Sequence, residues 1–484
     1  MSATEPKQSS SRNQGRRRKE WLRKTLKSSQ KEAVASATMT ASSDNFLNAF
    51  AIHLQATSTQ MGLLTAIPQF VGALMQLISV WLGSVLPRRP LVYSVAGVQA
   101  LVVALIALLA LSQSTNVFWL ITLAVLYHAC QNLIQPQWRA WMGSIVPERR
   151  RGVFFAGRTK LTMIASLGIF LGGGALLSVS ASIEAVWLGF TLLFLIASAG
   201  RGFSSFYLHQ MHDPDVNEAG TLKPGLKETI APLISSLKEP TFRNYTIFVA
   251  GMQGMVAISA PFFAVYMLNE LKFSYFQFSL NAVVSIATQF LTLGLWGRIS
   301  DQYGNRLVMT ITSAILPSLP VLWLFSPNEY YLLLVQAISG FAWSGFSLST
   351  ANYLYDIRPH KTHFAAYAAV QSSLGATAIF IGALLGGFVA AKAPTMAVML
   401  PESIQPASAL FIVFFLSGAM RAGITLWFIP RAVEPRIRKR PAVLQIVFRV
   451  SRFNPISGIV LDWLTVTRKR RAKKKEEDKH SSQK

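Results

Sequence analysis

Cysteine is almost missing. Cys130 stands alone among 484 residues, which excludes an internal disulfide and a cysteine-built metal site. Acids are scarce, 21 against 46 Lys and Arg, and charged residues of both signs make up only 14% of the chain. There is no Walker-type phosphate loop, no H-E-x-x-H and no nucleophile elbow, so neither ATP hydrolysis nor metalloproteolysis has a site. No enzyme activity, cofactor or metal is expected. Residues 1–32 hold no apolar core, so they are not a secretory signal peptide.

Apolar residues are abundant instead. They form 51% of the chain and arrive in long blocks rather than amphipathic stripes, which is a membrane composition. A spanning helix needs about 20 mostly apolar residues, because nothing in hydrocarbon satisfies a bare backbone group. Twelve such blocks are expected near 33–56, 60–86, 90–112, 116–146, 159–182, 184–208, 243–268, 274–297, 307–325, 329–357, 362–391 and 405–430. The first is the weakest, being thick with Ser, Thr and Asn and holding Asp44. Residues 441–466, broken by Arg449, Arg452 and Pro455, read as an interfacial segment.

The net charge of +25 resides mainly in the tails: residues 1–32 hold 10 Lys or Arg against 3 acids, and residues 431–484 hold 16 against 5. With both tails on one side, 41 of the 46 basic residues fall on that side and only Lys272 and Lys392 on the other. That asymmetry predicts both termini cytoplasmic, in an integral protein of the plasma (inner) membrane. The basic tails read as solvated, orientation-setting charge touching anionic lipid, not as nucleic-acid binders. Arg139, Arg201 and Arg421 lie within helices; the last two are expected to snorkel to the cytoplasmic interface.

A polar stretch near 209–242 divides six blocks from six, giving a basic tail (1–32), a first bundle (33–208), a linker (209–242), a second bundle (243–430) and a basic tail with the interfacial segment (431–484). A shift of 214 residues lays Gly83 on Gly297, and Gly168, Gly172 and Gly173 on Gly382, Gly386 and Gly387. An even number of helices per half keeps the halves in the same orientation. Such parallel repeats bind solute near mid-membrane between the halves. The glycines of helices 5 and 11 are small-xxx-small patterns that read as close packing.

Between the eighth and ninth blocks lies WGRISDQYGNR, Trp296 to Arg306. In a twelve-helix chain of two parallel sixes, this stretch resembles the loop signature of the major facilitator superfamily. Gly297, Asp301, Gly304 and Arg306 fill its Gly, Asp, Gly and basic positions. Gly297 would let a neighbouring helix approach, Gly304 would supply the turn, and Asp301 would cap a helix or pair with a base. Gln302 departs from the pattern, and the first-half copy, GSVLPRRP, carries Pro87 where the Asp belongs. The stretch from Pro136 to Arg158 resembles the helix 4 end and following loop of a sparsely characterised bacterial branch, through Trp138, Trp141, Pro147, Glu148, Arg151, Gly152, Phe155 and Arg158. The resemblance implies a secondary active transporter, a permease working as symporter or antiporter; nothing in the sequence demands more than a monomer. Its cytoplasmic gate would use Gly297, Asp301, Gly304, Arg306, Arg151 and Arg158.

Polar side chains in spans usually face a cavity or a partner helix. On helix 4, His128, Gln131, Asn132, Gln135 and Arg139 recur at helical steps. Gln69 and Gln76 on helix 2, Gln253 and Gln289 on helices 7 and 8, and Trp343 on helix 10 complete the expected substrate set. By resemblance, helices 1, 4, 7 and 10 line the central cavity. Asp44 is the expected proton or cation coupling residue: it lies roughly 16 Å above the inner end of helix 1, with Arg139 roughly 12 Å above that of helix 4, close enough to pair. Amides and aromatics suit a small polar or amphipathic organic solute. An importer, an efflux pump for amphipathic compounds and a non-transporting receptor of the same fold all remain open.

Overall fold

The computed structural model describes residues 6–146, 148–213, 235–357, 364–399, 401 and 405–433. All regular structure in them is helical. The first half holds α1 (Pro6–His53), α2 (Ser58–Val85), α3 (Arg88–Leu111), α4 (Val117–Ile145), α5 (Glu148–Ser182) and α6 (Val186–Gln210). The second holds α7 (Pro240–Val265), α8 (Tyr275–Tyr303), α9 (Asn305–Ile315), α10 (Glu329–Ile357), α11 (Phe364–Val398) and α12 (Leu410–Phe428).

Among the described residues, eleven helices are long and apolar enough to cross a membrane. Helix α1 is not among them, because Lys31, Glu32, Asp44 and many hydroxyls dilute its apolar stretch. It also runs unbroken through the boundary expected at residue 32, as one 48-residue helix. Residues 20–32 are part of the packed bundle. The Trp21 ring lies 4.6 Å from that of His212, and the Thr25 hydroxyl accepts from the His212 amide at 3.3 Å. The interfacial segment expected at 441–466 lies outside the described residues.

The two halves repeat one another in detail. Gln55 and Lys272 both take left-handed φ, 58° and 55°. Each precedes a capping box, Thr57 with Gln60 at the start of α2 and Ser274 with Gln277 at the start of α8, which closes two otherwise orphaned amides at a helix start. The next connection repeats too: Asn116 accepts from Phe118 N at 3.0 Å and Asn328 from Tyr330 N at 2.9 Å.

Helix α9 breaks at Leu316 and resumes for one turn, Ser318–Leu322. Pro317 and Pro320 cause the break, since neither has an N–H to offer the carbonyl four residues back. Those carbonyls, on Ser313 and Leu316, are served from α12. Thr425 donates to Ser313 O at 3.2 Å and Arg421 to Leu316 O at 3.3 Å.

The halves meet through α2 on α11 and α5 on α8. A Cβ on Gly62 would lie 2.8 Å from Ala383 O and 2.9 Å from Gly387 Cα, so only glycine permits that approach. Phe276 N donates to Ser178 Oγ at 2.9 Å, and Phe190 packs on Tyr275 with ring centroids 5.6 Å apart. All these residues lie toward the end of the bundle remote from the start of α1 and the end of α12, here termed the far face. One buried apolar cluster, including Phe46, Phe50, Phe262 and Phe278, spans both halves there. On the opposite, terminal face the clusters of described residues stay within single halves: one around Trp141 and Leu208, another around Phe242, Tyr353 and Phe428.

Candidate functional site

Asp44 sits nine residues before the end of α1, against Tyr127 and His128 of α4. Its Oδ1 is buried and has no hydrogen-bond partner. The Tyr127 hydroxyl beside it is fully buried and lies 3.0 Å from Ser43 Oγ. A buried carboxylate with a free lone pair is costly in hydrocarbon unless it binds a proton or a cation. Arg139 does not join it. It is exposed, and eleven residues separate it from His128, a rise of roughly 16 Å. The expectation of a close pair counted depth from residue 33, whereas α1 extends well below that point and carries Asp44 higher in the bundle.

Nearer the terminal face lies a cavity of about 160 Å³ lined by side chains of α1, α4, α5 and α6. Glu32 is part of its wall, at 3% exposure. One of its carboxylate oxygens pairs with Arg158, and the other accepts from Ser204 at 3.1 Å. Arg201 donates to Ser204 Oγ at 3.0 Å and to Ser36 Oγ at 3.3 Å, and the Arg158 guanidinium lies 4.2 Å from the centre of a Trp138 ring. The expected snorkelling of Arg201 and Arg421 is overturned: their exposures are 4% and 3%. Arg201 turns inward to the Glu32 network. Arg421 turns to Ser259 Oγ, at 2.9 Å, and to the Leu316 carbonyl that Pro320 leaves free.

Of the expected substrate set, Gln131 and Gln135 line this cavity. Gln76 and Asn132 instead bond to each other at 2.7 Å, and Asn132 also donates to His128 O, so they tie α2 to α4. Gln131 accepts from Gln99, a fully buried residue of α3. Gln253 packs where a Cβ on Gly375 would stand, 2.2 Å from its Oε1. Gln69, Gln289 and Trp343 are half-buried on α2, α8 and α10, with the Trp343 ring against Phe346.

The expected gate divides as well. Gly304 caps α8 and starts α9 at φ 96°, a conformation that glycine adopts freely. Asp301 is exposed in the last turn of α8 and Arg306 half-buried in the first of α9. The turn is held by Asn305, which accepts from Ser300 and donates to Asp356 of α10 at 2.8 Å. A Cβ on Gly297 would meet only Leu348, at 3.9 Å, so helix contact does not demand glycine there. Arg158 serves the Glu32 network within the first half, and the Arg151 side chain lies outside the described residues. Sequence reading missed Glu32, placed in a solvated tail, and Ser204, Asn305 and Asp356. The available signal was Glu32 itself, an acid next to an apolar stretch in a chain short of acids.

Two like-oriented six-helix halves, joined at one face and holding separate cores among the described residues at the other, define a membrane transport protein. The sequence model of the Major Facilitator Superfamily matches residues 33–260 and again 245–472, and the chain belongs to that family. Similar solved structures include the nucleoside transporter NupG (13% identity, TM-score 0.61, 83% of this chain and 98% of that one). A bacterial homologue of the human lysosomal transporter Spinster, inward-facing and occupied, has 13% identity and TM-score 0.62 over 87% of this chain and 98% of its own. The E. coli xylose transporter XylE, partially occluded and inward open, has 11% identity and TM-score 0.62 over 87% and 100%. No curated protein matches the sequence.

Proposed function

We propose that this chain is a secondary active transporter that carries a small organic solute across the plasma membrane by alternating access, with α1 as its twelfth span and both termini cytoplasmic. The observation that carries this reading is the asymmetry of the interface. The halves are packed through glycine and aromatic contacts at the far face and hold separate cores at the terminal face, the arrangement of a transporter open toward its termini. Rocking to the opposite state would break the contacts of Gly62 and Ser178 and close the terminal face. NupG and XylE are named for nucleoside and xylose transport, but 11–13% identity transfers their fold and not their cargo.

Asp44 is the coupling site in this reading, with Tyr127 and His128 as its partners in place of Arg139. A carboxylate with an unfilled acceptor at mid-depth takes up a proton or cation in one state and releases it in the other. Whether the cargo enters or leaves follows from the gradient. The test is solute flux in sealed proteoliposomes. Wild type is expected to accumulate solute against its gradient when a proton or cation gradient is imposed. Asp44→Asn should lose that accumulation while keeping solute exchange. Accumulation unchanged in Asp44→Asn sinks the coupling role, and binding without any flux would make the protein a receptor.

A further inference from the structure

The cavity around Glu32 is built to accept negative charge. Its ionised lining, Glu32, Arg158 and Arg201, sums to one net positive charge. Glu32 is already satisfied at both oxygens, by Arg158 and by Ser204. Three atoms left without a partner, all buried, are donors on side chains that line this cavity: Trp138 Nε1, Arg158 Nε and Arg201 Nε. Unsatisfied buried donors are rare and costly. A ligand in this space lies against two guanidinium groups, which only donate, and has to bring acceptors.

We propose that this cavity binds a small organic monoanion, a carboxylate on an apolar or aromatic body. The assignment rests on the transporter reading only in making that anion the cargo. A carboxylate is acceptor-only and matches the flat guanidinium fork, whereas a sugar hydroxyl brings a donor for every oxygen. One negative charge neutralises the site, and a dianion would leave an excess of one in a low-dielectric setting. The body has apolar walls to rest on, Met39, Ile134 and the Trp138 ring. A volume of about 160 Å³ exceeds by an order of magnitude the ~10–15 Å³ that a single water demands. Gln131 and Gln135 supply the remaining polar edge. Glu32 acts as an internal competitor, occupying Arg158 until the ligand carboxylate displaces it.

That competition gives the test its sign. Full-length protein in detergent is titrated calorimetrically with benzoate and hexanoate, with benzamide as the neutral isostere of benzoate and sulfate as the dianion. The expected result is saturable one-to-one binding of the monocarboxylates, at least roughly tenfold tighter than benzamide or sulfate. Glu32→Gln should tighten benzoate by roughly tenfold, because it frees Arg158 and raises the net charge, while Arg158→Gln weakens it by a similar factor. A purely structural Glu32 predicts no gain. The proposal is overturned if benzamide binds as well as benzoate, if neither monocarboxylate saturates, or if folded Glu32→Gln binds no more tightly than wild type. Should a variant not fold, the benzoate and benzamide comparison on wild type decides alone. Benzoate binding without flux in proteoliposomes would sink the transporter reading and keep the anion site; flux of a solute with no anion binding would do the reverse.

Discussion

Arg158 of α5 and Glu32 of α1 form an ion pair across 126 positions of sequence, and Ser204 of α6 closes the other side of the same carboxylate. Three helices thus converge on one acid. Removing it leaves the Arg158 and Arg201 cations facing each other's field with no counter-charge. Glu32→Ala is therefore expected to destabilise the protein by about 3 kcal/mol, read as unfolding of the detergent-solubilised protein. In Glu32→Gln the loss should be partly restored by millimolar benzoate, since ligand binding to the native state adds stability by mass action. A destabilised Glu32→Gln that benzoate does not rescue separates the structural role from the binding one.

The repeated glycines are equivalent in sequence and not in the fold. A Cβ on Gly382 would come within 1.9 Å of Gly254 O, and one on Gly386 within 2.2 Å of Ile258 O, both backbone atoms of α7. Around Gly168 and Gly172 of α5 a Cβ would meet nothing within 4 Å. Gly382→Ala should cost about 1–3 kcal/mol by overpacking. Gly168→Ala should be neutral or stabilise by up to about 1 kcal/mol, the ordinary helix preference for alanine. Equal melting shifts for the two variants would contradict the contact geometry.

Arg421 and Pro320 are linked through one carbonyl, which the first serves and the second cannot. Pro320 leaves Leu316 O without its helical donor, and Arg421 supplies one at 3.3 Å. Arg421→Met should destabilise by about 1–3 kcal/mol. In a Pro320→Ala background, where the helix can close its own hydrogen bond, the same change should cost at least 0.5 kcal/mol less, by the coupling typical of residues that share a partner. An additive cycle would mean that Arg421 is held for another reason.

The helical architecture and its repeat were legible because they rest on quantities a sequence displays. Long apolar blocks and the 214-residue glycine offset needed no knowledge of neighbours, and the apolar blocks from the second to the twelfth fall on α2 to α12. What failed was depth and direction. Arg201 and Arg421 look like snorkelling residues when only distance to a helix end is counted, yet Ser204 and Leu316 O on adjoining helices turn them inward. Glu32 sits in a run of basic residues that reads as solvated tail, and only the fold reveals Arg158 and Ser204 above it. Gly297 matches a family signature although nothing presses on it, whereas Gly62, which matches none, carries the contact between the halves.

That contact supplies a way to hold the protein in one state. Gly62 of α2 faces Ala383 O and Gly387 Cα of α11, two backbone atoms that cannot swing aside. A leucine at Gly62 cannot coexist with the closed far face, but in the opposite state of the proposed cycle, where α2 and α11 would separate, its side chain would have room. Gly62→Leu should therefore leave the protein folded and shift it toward the state open at the far face. Turnover requires both states, so solute flux in proteoliposomes is expected to fall at least roughly tenfold, a bias of about 1.4 kcal/mol or more against the closed form. Ala383→Gly should recover little, because the obstructing atom is the carbonyl and not the methyl. If Gly62→Leu transports at the wild-type rate, the far-face contact is not part of the cycle, and alternating access through α2 and α11 fails with it.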